Sequence, residues 1–180
     1  MMVVAVRIVV VGVVAFGSLV ATALQPARVV EAVPLIGIGL NVPAQVPIGG
    51  AVSFTVSFDN TAPNAPGNTG YGPFIDLYFP VEGADGDGAG ADDGIDFVSA
   101  TYLGLPVTAT QFTFPGPGPT GCVNHPYAVA PVTGAPLQVC GPSGDKLVVL
   151  QLPFGSFTPD QPAAVVSVQA ALSNLADLGA

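Results

Sequence analysis

In AVSFTVSFDN, residues 51–60, the apolar Val52, Phe54, Val56 and Phe58 alternate with Ser53, Thr55 and Ser57. A period of two puts the two sets on opposite faces of an extended chain, so the pattern predicts a half-buried antiparallel strand, with Asn60 opening a turn. PFIDLYFP repeats the alternation, with Ile75, Leu77 and Phe79 on one face and Phe74, Asp76 and Tyr78 on the other. GIDFVSATYLG and VTATQFTF supply a third and a fourth strand. In GDKLVVLQLPFG the centre is apolar on both faces, as expected of a strand covered on both sides. AAVVSVQAAL sets Val166, Val168, Ala170 and Leu172 against Ser167 and Gln169, and LIGIGLN adds a strand near residue 36. PGPGPTG, between the fourth strand and Cys122, suits neither helix nor central strand, because proline removes donors and glycine adds freedom.

About seven strands separated by turn signals, with no convincing helix, predict an all-β domain. Two packed antiparallel sheets with immunoglobulin-like topology are the natural solution. Composition agrees: 23 glycines and 19 prolines make a turn-rich chain, and only 8% of its 180 residues are charged. Arg7, Arg28 and Lys146 are the only basic residues against a net charge of −9, which excludes a phosphate-neutralising surface and hence nucleic-acid binding.

The first thirty-two residues read as a leader outside the fold. One positive charge at Arg7 precedes a continuous apolar run from Ile8 to Leu24, the pattern of a secretory signal. Ala21-Thr22-Ala23 and Val30-Glu31-Ala32 both offer cleavage sites, and the second, beyond the helix-breaking Pro26, is preferred. An uncleaved anchor is the alternative, since seventeen apolar residues stand at the lower edge of what spans a bilayer. No second apolar stretch of that length follows, so residues 33–180 are expected to form the domain, outside the cell and off the membrane. In that oxidising compartment Cys122 and Cys140, the only cysteines, are expected to form a disulfide. Without a C-x-x-C, and with a single histidine, a redox or metal role for them is the weaker reading.

GGAVSFTVSFDNT, GYGPFIDLYFP, DDGIDFVSATYLGLPV and GDKLVVLQLPFGSFTPDQP followed by SNLADLG together resemble the bacterial conserved-repeat domains, domain of unknown function eleven, of large exported surface proteins. The resemblance runs over nearly all of residues 33–180. It implies an immunoglobulin-like fold, a cell-surface or extracellular location and a structural or adhesive role, with no catalytic residues to carry over. The sequence stops at Ala180, directly after a strand and without further repeats, so either a fragment of a longer product or a short secreted relative is expected, the fragment being preferred.

ADGDGAGADDG, residues 84–94, concentrates charge in a chain that carries little of it elsewhere. Set on the calcium-loop pattern, Asp85 and Asp87 take the first and third places, Gly90 the sixth, Asp93 the ninth and Asp96 the twelfth, while Ala89 spoils the fifth and Asp92 stands where an apolar residue should pack. No helix flanks it, so it is not an EF-hand. Two readings stand: a solvated spacer, or a weak calcium site built from Asp85, Asp87, Asp92, Asp93 and Asp96, with Glu82 adding to the charge. His125 could serve as a general base, but no nucleophile or orienting carboxylate stands beside it in the sequence. Tyr71, Tyr78, Tyr102 and Tyr127 read as ordinary strand and loop aromatics. The sequence therefore predicts a non-enzymatic structural or adhesion module of an exported bacterial surface protein, in contact with other surface-protein domains. The alternative is a calcium-binding module for an extracellular protein or glycan partner.

Overall fold

The computed structural model describes residues 8–9, 34–65, 67–81 and 94–176, and every regular element among them is a strand. A five-stranded antiparallel sheet runs in the order β2 (Ile36–Asn41), β3 (Ala51–Asn60), β13 (Ala164–Leu172), β6 (Ile95–Tyr102) and β7 (Leu105–Pro106). A four-stranded one runs β1 (Ile8–Val9), β5 (Phe74–Phe79), β11 (Lys146–Gln151) and β8 (Thr108–Thr113). Two pairs complete the set: β9 (Thr120–Val129) with β10 (Pro136–Pro142), and β4 (Gly70–Tyr71) with β12 (Ser156–Phe157).

The period-two pattern explains how the sheets associate. Along β13 burial alternates without a break, and its register sets Val168 opposite Phe54 and Val166 opposite Val56. These residues share one apolar cluster with Ile75, Leu77, Phe79, Val148 and Leu150 of the four-stranded sheet, so the two large sheets bury their inner faces against each other. Full burial of a valine or phenylalanine side chain stabilises by about 1.5–3 kcal/mol, and a core of this extent is the main favourable term for the fold. The opposite face of the five-stranded sheet carries Ser53, Ser99, Ser167 and Gln169, which are exposed.

β5 and β11 are buried on both faces, as the doubly apolar sequence of β11 predicts. The second cover is the β9–β10 hairpin. Phe74, Leu147, Val149 and Phe114 pack there against Ala128, with Val123, Tyr127, Leu137 and Val139 around them. The expectation of about seven strands therefore needs correction. The two-residue strands β4, β7 and β12 leave no periodic signal, and the segment around the cysteines, for which the sequence pattern predicts no strand, is a hairpin with its own buried side.

Two sequence features find their reason here. Asn60, at the end of β3, is buried; its Nδ2 donates to the carbonyls of Asn68 at 2.7 Å and Phe157 at 3.2 Å, and its Oδ1 accepts from Ala62 N–H at 3.2 Å. It thus ties the turn after β3 to β12. Gly121 and Gly141 are register partners on the hairpin. A Cβ on Gly141 would lie 2.4 Å from the Phe114 ring, and one on Gly121 would lie 2.2 Å from the Pro115 carbonyl. Gly141 opens the space in which the fully buried Phe114 ring sits, and Gly121 the space for the Pro115 backbone beside it.

The expected signal helix and cleavage sites fall outside the described residues, apart from Ile8–Val9, which pair antiparallel with Leu77 and Asp76 of β5.

Candidate functional site

Asp76 points from β5 toward the hairpin, the one acidic residue in a strand otherwise apolar on that face. Directly across β11 from it stands Val149, and beyond Val149 on β8 stands Thr110. His125 comes down from β9 above it. Its Nε2 is 3.0 Å from Asp76 Oδ1, with the two side chains 0% and 1% exposed. The ring also packs on Phe74, with centroids 4.5 Å apart, and meets Tyr127 edge-on at 6.1 Å.

The local backbone makes this placement. Asn124 pairs with Gln138 and Val129 with Pro136, so four residues, His125 to Ala128, face the single Leu137. The bulge takes the Tyr127 and Ala128 N–H groups out of the ladder. His125 Nδ1 accepts both, at 3.1 and 2.7 Å, and so restores the bonds that the bulge removes. With Nδ1 an acceptor, the ring proton sits on Nε2 and is donated to Asp76. Asp76 Oδ2 is buried with no hydrogen-bond partner among the described residues. Burial pushes the Asp76 carboxyl above its ordinary range, opposed by the hydrogen bond from His125. Tyr78, stacked on Phe114 at 5.7 Å, is likewise raised, first by burial and then by the Asp76 charge.

Cys122 and Cys140 stand opposite each other in the β9–β10 register, with Cα atoms 4.1 Å apart, and form the expected disulfide. Both are exposed on the outer side of the hairpin, while Gly121, Val123 and His125 face inward. The bond therefore pins the register that carries His125.

Of the aspartate loop, Asp85, Asp87, Asp92 and Asp93, with Glu82, lie outside the described residues. The base of the loop is described: Gly94 N–H donates to the Val81 carbonyl and Ile95 N–H to the Pro80 carbonyl, each at 2.9 Å, so both ends leave one closed point between β5 and β6. Asp96 lies just past that point, and its carboxylate takes the Lys146 ammonium at 2.5 Å, joining β6 to β11. Among the described residues no cluster of three or more His, Cys, Asp or Glu could hold a metal ion.

No protein-family model, curated protein or solved structure matches this chain. The arrangement has to be understood from its own residues. The His125–Asp76 pair has the chemistry of a base and its orienting carboxylate, but it is sealed from solvent on both sides. A general base must reach the proton it abstracts. The geometry instead suits a structural role, in which His125 satisfies the bulge and Asp76 fixes the ring. Sequence reasoning missed Asp76 as the partner. The signal that could have found it is a lone carboxylate on an apolar strand together with the single histidine of the chain, each needing a polar partner once buried.

Proposed function

We propose that the chain is a non-enzymatic structural or adhesion module of an exported bacterial surface protein, built as an immunoglobulin-like sandwich of the conserved-repeat kind. The observation that carries the reading is the disulfide hairpin. An exposed disulfide persists in an oxidising compartment and is rare in a reducing one. Together with a leader-like N-terminus, it supports export. The antiparallel sheets sharing one apolar cluster support the sandwich reading, and the resemblance noted above supports a surface role beside other domains. The sealing of the sole histidine removes it from contact with any substrate.

Expression of the full chain in a bacterial host, with fractionation and N-terminal sequencing, tests the reading. The expected product lies outside the cytoplasm, begins at Val33 and has no free thiol. A full-length cytoplasmic product with reduced cysteines would overturn it.

A second reading, a calcium site at Asp85, Asp87, Asp92, Asp93 and Asp96, draws support from the closed base of the loop, which gathers its ends at one place. Against it, Lys146 already neutralises Asp96. The passive module is therefore the better-supported of the two.

A further inference from the structure

Among the described residues the β9–β10 hairpin shares no backbone ladder with either large sheet. Apolar packing holds it down, and the His125–Asp76 hydrogen bond is a buried polar tie across the seam. That tie is unbalanced. His125 is satisfied on both ring nitrogens, whereas Asp76 has a donor on Oδ1 and none on Oδ2. An ionised Asp76 keeps a charge out of water with a single donor, an arrangement that burial makes costly.

One added proton can go to two places. On His125 Nδ1 it would turn the acceptor of two backbone N–H groups into a donor facing them. On Asp76 it removes the buried charge and leaves Oδ1 to accept from Nε2–H. The geometry thus assigns it to Asp76. Among the described residues nothing else competes: Asp76 is flanked on its face by Phe74 and Tyr78, with Val149 of β11 and Thr110 of β8 across the sheet. The hairpin presents His125 and Tyr127 among Val123, Leu137 and Val139. At the β5 edge its backbone partner is Val9. Tyr78, raised above its ordinary range, stays neutral in acid.

We propose that the hairpin is a proton-tightened cover: Asp76 holds a proton while the hairpin is closed, releases it when the hairpin lifts into water, and so makes the cover looser as pH rises. Lifting uncovers Phe74, Tyr78, Leu147 and Val149. In the window between the open and closed titrations of one carboxyl, the opening constant rises up to about tenfold per pH unit.

Native-state hydrogen exchange of the full chain between pH 4 and pH 7, corrected for intrinsic rates, reads this directly at the Tyr127 and Ala128 amides. Their protection should lie below that of Val56 and Val166 in the central ladder, marking an opening short of unfolding, and should fall as pH rises. In Asp76→Asn the fall should vanish. Protection equal to that of Val56 and Val166, a flat profile in the wild type, or the same slope in the variant would each overturn the proposal. If the variant does not fold, carboxyl carbon NMR of Asp76 in the wild type decides. A titration midpoint at the upper end of the exchange transition supports the cover, and a midpoint in the ordinary carboxylate range contradicts it.

Discussion

His125 Nε2 donates to Asp76 Oδ1 across 3.0 Å of buried interior, joining two residues 49 apart in sequence and two layers that share no strand ladder. The contact gives the third layer its orientation. Its direction of proton linkage follows from Asp76, whose ordinary value is 3.8 and whose folded value is raised, chiefly by burial. Between the two values the native state holds a proton that the unfolded chain has lost. Stability therefore falls as pH rises from near 3.8 through the folded value, and is level above it. Urea unfolding at a series of pH values should show this decline in the wild type. Asp76→Asn, which cannot ionise, should lack the component.

The disulfide closes a short loop with a sequence separation of 18. Restricting an unfolded loop of that size is worth about 3 kcal/mol on the chain-entropy argument. Reduction, or a Cys122→Ser, Cys140→Ser double variant, should lower unfolding free energy by up to that amount in guanidinium titrations. The loss should appear first at hairpin amides, because the bond lies outside the main apolar cluster.

Gly141→Ala should destabilise by about 1–3 kcal/mol, the usual cost of overpacking a filled core. The added Cβ would lie 2.4 Å from the fully buried Phe114 ring, which would have to shift. Gly155→Ala is the control: nothing lies within 4 Å of its Cβ position, and the melting temperature should barely move.

Much of this arrangement was legible in the sequence. Alternation located β3, β5, β11 and β13, and even the two faces of β5, because period two is a direct consequence of backbone geometry. The pairing of Cys122 with Cys140 followed from there being two cysteines. The third layer was not legible. It depends on a bulge that turns His125 inward and on Gly141, which admits Phe114, and neither leaves a periodic trace. The partnership of Asp76 with His125 is a tertiary contact between two residues that are unremarkable when read separately. The aspartate loop could be read only as charge, and its residues from Glu82 to Asp93 lie outside the described structure.

The β6–β7 turn offers a stabilising substitution. Leu103 has φ of 51° and Gly104 of 78°, the two positive values of a type I′ hairpin turn between Tyr102 and Leu105. Leucine is a poor residue for that conformation, and this one is 82% exposed, so its side chain contributes little packing. Asparagine enters the left-handed region more readily, and Leu103→Asn should raise stability by roughly 0.5–1 kcal/mol, seen as a higher melting temperature.

The central claim, a passive structural module, is tested most directly by thermal unfolding of the oxidised full chain in excess calcium and again in chelator. The account predicts one cooperative transition at the same temperature in both, because Lys146 already holds Asp96. A melting temperature that climbs with calcium concentration, and ceases to climb in Asp85→Asn, Asp87→Asn, would contradict it and make the loop a ligand site.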